Sequence, residues 1–78
     1  GWSKAAVDSD VKEALNFVLN ANHSGTKLAE ITSVKKQVVS GMNYDITYDL
    51  DNGETWNVVV YKALSGEFSI QSAAKKVR

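Results

Sequence analysis

Between Val11 and Leu19 the apolar residues fall at Val11, Ala14, Leu15, Val18 and Leu19, with Phe17 beside them. Recurrence at i, i+3, i+4, i+7 and i+8 predicts an α-helix with one wide apolar face. Asp8, Ser9 and Asp10 can each cap its start, and Glu13 follows Asp10 at the spacing of a capping box. Asn20, Asn22 and His23 weaken the far end, and Gly25 is a natural stop. The helix is therefore expected within residues 8–24, after an extended lead-in over residues 1–7.

Beyond Gly25 the period shortens. Lys27–Val39 is rich in β-branched residues but alternates imperfectly, which predicts a strand interrupted by a bulge. Met42–Leu50 alternates cleanly, with Met42, Tyr44, Ile46, Tyr48 and Leu50 on one side and Asn43, Asp45, Thr47 and Asp49 on the other. Asn52-Gly53 is a strong hairpin signal, and Thr55–Lys62 returns as a strand. A turn at Gly66 leads to a short last strand, Glu67–Gln71, with Phe68 and Ile70 on one face. Ser72–Arg78 is expected to fray.

The order is one helix and then an antiparallel meander over residues 27–71. Short connections make successive strands neighbours, and the helix and the sheet each have one apolar face to bury. The fold class is α+β: a single domain, residues 1–78, with one helix across a twisted sheet of about four or five strands.

Composition narrows the chemistry. The chain has no cysteine and one histidine, so packing rather than disulfides or a metal must hold it together. Its 44% hydrophobic content, with two Trp, three Tyr and two Phe, is enough for that. Nine basic and nine acidic side chains cancel, and no overall field draws the chain to nucleic acid. Asp45, Asp49, Asp51 and Glu54 form one acidic cluster, and Lys75, Lys76 and Arg78 form a basic end. Both are read as solvated surface. No apolar run approaches the roughly 18 residues of a membrane span. His23 has no base-orienting neighbour in sequence and is expected to be an exposed residue at the helix end. No nucleophile, paired carboxylates in a pocket, phosphate loop or metal cluster stands out, so neither an enzyme nor a cofactor is expected.

The turns are more informative. Alternate turns of a meander fall on the same end of the sheet. This brings Gln37-Val38-Val39-Ser40-Gly41 beside Ala63-Leu64-Ser65-Gly66 and sends Asn52-Gly53 to the opposite end. Both paired tips are uncharged, and each carries an aliphatic side chain and a glycine, although hairpin tips are normally polar. Together they make a wedge suited to a cleft.

Gln37-Val38-Val39-Ser40-Gly41 fits the Gln-X-Val-X-Gly motif of the cystatins, and "MNYDITYDL" is similar to the strand that follows it in that family. Leu64-Ser65-Gly66 resembles the Leu-Pro-Gly of the stefin branch, with Ser65 in place of the proline. Gly1 stands where the family has its N-terminal glycine. The resemblance implies a monomer that reversibly inhibits papain-like cysteine proteases of the papain or cathepsin type. No nucleic acid or membrane partner is implied. Gly1, Trp2, Gln37, Val38, Val39, Ser40, Gly41, Leu64, Ser65 and Gly66 would bind the protease. A charge placed at Val39 or Gly41 is expected to spare the fold and weaken the contact. The alternative is a cystatin-fold binding or defence module that no longer inhibits, favoured by the absence of the Pro-Trp or Leu-Pro-Gly second loop. The start at Gly is read as a processed or trimmed form, with little trunk before Trp2. Asn22-His23-Ser24 forms a glycosylation sequon at Asn22; it favours export, and the lack of cysteine leaves a cytosolic life as the alternative.

Overall fold

A computed structural model describes residues Gly1–Arg78. The chain runs β1 (Ser3–Lys4), α1 (Ser9–Asn22), β2 (Leu28–Val39), β3 (Gly41–Leu50), β4 (Thr55–Lys62) and β5 (Phe68–Lys76). The five strands form one antiparallel sheet in sequence order. The expected α+β fold is the one observed.

Asp8, not Asp10, caps the helix. Its side-chain Oδ1 accepts the Val11 N–H at 3.0 Å, which satisfies one of the orphan donors of the first turn. The Asp10–Glu13 capping box is therefore not formed. Asp10 instead lies within the first turn and accepts from Lys62 Nζ at 3.0 Å, tying the start of the helix to the end of β4. That hydrogen bond holds the Lys62 ammonium above its ordinary pKa.

Val11, Ala14, Leu15 and Val18 are buried against Tyr44, Ile46, Tyr48 and Leu50 of β3, Val58 and Val60 of β4, and Val34 of β2. Each fully buried Val, Leu or Ile side chain contributes about 1.5–3 kcal/mol over an exposed one, so this cluster dominates stability. The helix lies chiefly over β3, β4 and β5. The helix-facing side of β2 thus extends beyond the cover the helix provides.

Three expectations are corrected by how the strands meet. Ser72–Arg78 does not fray. β5 continues to Lys76, with Asn57 opposite Lys75 and Trp56 opposite Lys76, and Thr55 O accepts from both Val77 N and Arg78 N at 2.8 and 3.2 Å. Register shifts around Val59 break the alternation there, which is why the segment lacks a strand period. The predicted bulge in β2 is present, as register shifts between Leu28 and Ser33.

His23 is the second correction. It is only 8% exposed, because the chain turns back there and seats the ring on the sheet. Its Nε2 is 2.8 Å from the Tyr48 hydroxyl, and the ring meets Tyr48 and Trp56 edge-on. Burial pushes the Tyr48 hydroxyl up to about 12 and raises that of Tyr44.

The third concerns charge. Asp45 and Asp49 face away from the helix but are half-buried and engaged. Asp45 accepts from Asn57 Nδ2, and Asp49 from the Thr55 hydroxyl, each at 2.6 Å. Pairing of β4 with β5 also joins the acidic cluster to the basic end, through Lys76 Nζ and Glu54 Oε2 at 3.4 Å. Glu54 accepts from Trp56 Nε1 at 3.1 Å, and that bond leads the effects that hold its carboxyl below the usual range.

Deleting Ser72–Arg78 should therefore lower unfolding stability by at least about 2 kcal/mol in a urea titration, since several strand hydrogen bonds are lost; a frayed tail would leave the midpoint unmoved. Stability should also fall at high pH. The folded Tyr48 binds its proton more tightly than the unfolded ordinary value of 10.0, so its contribution is complete below about pH 10 and is lost towards pH 12. Tyr48→Phe should flatten that decline in urea midpoints measured across the window.

Candidate functional site

Three segments converge on one end of the sheet. β2 and β3 meet at an apex formed by Ser40, with Val39 opposite Gly41 and Val38 opposite Met42. The β4–β5 turn lies at the same end, closed by Gly66 N–H to Ala63 O at 2.9 Å and by Ala63 N–H to Glu67 O at 2.8 Å. β1 pairs Ser3 with Lys36 and Lys4 with Lys35, so Trp2 and Gly1 run towards Gln37 and Val38. Adjacent strands lie about 4.8 Å apart, which sets the two hairpin tips about 10 Å from each other with the N-terminal strip on the far side of the first. Asn52-Gly53 occupies the opposite end.

This end is apolar and exposed. Val38 is 73% accessible, Leu64 83%, Val39 44% and Trp2 43%. Val38 and Val39 are strand residues by backbone, yet neither belongs to the core. Val38 shares the helix-facing side with Val34 but lies on β2, beside the helix rather than beneath it. Val39 points to the other face.

Not every motif residue is a free surface group. Gln37 is half-buried, and its Oε1 accepts from Asn43 Nδ2 across the β2–β3 pair at 3.2 Å. Asn43 Oδ1 is buried without a partner. In the next strand Tyr61 stands opposite Asn43, and its hydroxyl donates to the Ser40 carbonyl. Gly41 is enclosed as well. Its φ is +110°, and a Cβ added there would lie 2.6 Å from Lys62 O, 2.7 Å from Tyr61 Oη and 2.8 Å from Tyr61 Cε1. The expectation that Gly41→Glu would spare the fold is therefore corrected: the position has neither the backbone freedom nor the space. Tyr61 is the residue that sequence reading missed. Its place in an alternating strand gives no sign that its hydroxyl reaches 21 residues back along the chain.

Elsewhere the surface offers little chemistry. A cavity of about 450 Å³ lies at the end of the helix and the start of β2, away from the tips, and His23 and Lys27 are its only charged or titratable lining residues. No group of three or more His, Cys, Asp or Glu is placed to hold a metal ion. Asn22, the sequon asparagine, is exposed at the last helical residue.

The family model described as "Cystatin domain" matches residues 1–77. The chain belongs to the cystatin family. It is 40% identical over 60 residues to Cystatin-A3 of Dictyostelium discoideum, covering 77% of this chain and 60% of that protein. It is 43% identical over 53 residues to L-cystatin of Tachypleus tridentatus, covering 59% of this chain and 40% of that protein. The matches thus span less than two thirds of the length of either curated relative. A cystatin domain is a non-enzymatic domain.

Gly41→Ala should destabilise the protein by about 2–4 kcal/mol, combining positive-φ strain with a collision against β4. Gly53→Ala is the matched control: φ is +87° with nothing within 4 Å of the added Cβ, so its cost should stay near the conformational term of about 1–2 kcal/mol. Urea midpoints of the two variants check the difference.

Proposed function

We propose that this cystatin is a reversible inhibitor of papain-like cysteine proteases, docking its wedge-shaped end into the active-site cleft. The observation that carries this reading is the gathering of Trp2, Val38, Val39 and Leu64, all exposed, along one end of the sheet. Scattered apolar side chains are ordinary on a protein surface, but a contiguous row on projecting turns marks a contact site.

Each strip has a defined part in this reading. Gly1-Trp2 lines one side of the cleft, with the indole as a large anchor of the kind that dominates interface energetics. Val38 and Val39 enter the centre, where their opposite orientations let them touch both walls. Leu64-Ser65-Gly66 covers the other side. Gln37 contributes through its amide Nε2, since its Oε1 is already engaged by Asn43. Ser40 forms the apex, with its carbonyl oxygen already held by the Tyr61 hydroxyl, and Gly41 closes the turn.

The physical advantage is preorganisation. The first tip is held by strand pairing up to Val39 and Gly41, so it has little freedom left to lose on docking. Its apolar side chains are already out of the core, and displacing water from them favours the complex. The second loop lacks the proline of the stefin branch, so Ser65 leaves it less rigid and more of the affinity falls on the first tip.

Titrating papain with the protein should give stoichiometric, reversible loss of activity. Val39→Asp should weaken inhibition at least tenfold, about 1.4 kcal/mol, by forcing a carboxylate into the dry contact. Its melting temperature should stay near the parent value, because Val39 lies outside the core. A parent protein that leaves papain fully active would exclude the inhibitor reading and favour a non-inhibitory binding module; an unchanged inhibition constant for Val39→Asp would remove the wedge mechanism alone.

A further inference from the structure

A hairpin apex pushed into a protease cleft presents peptide bonds to a thiolate, and Ser40 stands at that apex. Cutting there requires thiolate attack on the Ser40 carbonyl carbon, with the oxygen taking the negative charge. The Gly41 amine then leaves with a proton, and water hydrolyses the acyl-enzyme to free the Ser40 carboxylate. The attacked oxygen must turn to the protease's donors for the charge to be stabilised.

In this fold the Ser40 oxygen already has a donor, the Tyr61 hydroxyl. The ring beneath it occupies the space that a side chain at position 41 would take, with Cε1 2.8 Å and Oη 2.7 Å from an added Cβ. On the same rung, Asn43 stands opposite Tyr61 and holds Gln37, so the base of the tip is tied across three strands. Tyr61 lies on the sheet face away from the helix and takes no part in the buried cluster. Its hydroxyl can therefore be removed without opening the core.

We propose that Tyr61 is a positioning residue that protects the Ser40–Gly41 peptide bond from cleavage, by keeping the Ser40 carbonyl oxygen in a hydrogen bond within the inhibitor. This rests on the protease-inhibitor reading of the same edge. Apolar side chains supply contact with the cleft, and Tyr61 separates inhibitor from substrate.

The test compares the parent with Tyr61→Phe, which keeps the ring and removes the donor, in papain and, separately, in subtilisin. Intact mass spectrometry follows fragments 1–40 and 41–78, and papain activity is read over time. Tyr61→Phe should start with inhibition close to the parent's, then release papain as it is cut at Ser40–Gly41 about tenfold faster, the scale of one lost hydrogen bond. Replacing Tyr61 with para-aminophenylalanine, which restores an N–H donor, should return resistance. Cleavage no faster than the parent in either protease overturns the proposal, as does cleavage spread over many bonds, which would mark general unfolding. If the parent fails to inhibit papain, the inhibitor function falls while the subtilisin comparison still judges Tyr61.

Discussion

The apolar face of α1 has a single surface that can cover it, and the sheet has a single helix with which to cover its own. Val11, Ala14, Leu15 and Val18 close over Tyr44, Ile46, Tyr48, Leu50, Val58 and Val60 because neither side can be dry without the other. The helix is 14 residues long, about 21 Å at 1.5 Å per residue, and it runs from Asp10 beside Lys62 to His23 beside Tyr48 and Trp56. Polar contacts to the sheet at both ends complement the apolar packing that sets the helix's position relative to the tips.

That constraint determines what remains uncovered. β2 lies to one side of the helix, and the turns at Ser40 and at Ala63–Gly66 project past its start. Apolar side chains there have no intramolecular partner. Val38 and Leu64 are exposed for this reason, and not because the core is badly filled. The same sheet that buries Ile46 and Val58 completely thus presents a row of apolar groups a few residues further along the strands.

The face away from the helix serves the tip in a different way. It carries a polar ladder in which Asp49 meets Thr55, Asp45 meets Asn57 and Asn43 meets Gln37. Such side-chain pairs pin the register of β2, β3 and β4. A slip of one residue would bury these polar groups and turn the motif residues to the wrong faces. Tyr61 ends this ladder at the apex, linking strand register to the conformation of Ser40 and Gly41.

Local periodicity was sufficient for the helix, the clean alternation of β3, the Asn52-Gly53 turn and the order of the meander, because each depends on neighbours within a few residues. The common end of the two tips also followed, since it is a consequence of antiparallel order alone. Contacts between distant parts of the chain were decided only on folding. His23 is buried because Tyr48, 25 residues away, offers its hydroxyl; Ser72–Lys76 is a strand because β4 provides a partner edge despite broken alternation. Gly41 reads in sequence as a turn glycine that tolerates a charge, but the pairing of β3 with β4 brings Tyr61 and the Lys62 carbonyl against it. Hydrophobic period is written residue by residue, whereas which groups share a hydrogen bond or a few ångströms of space exists only once the strands lie side by side.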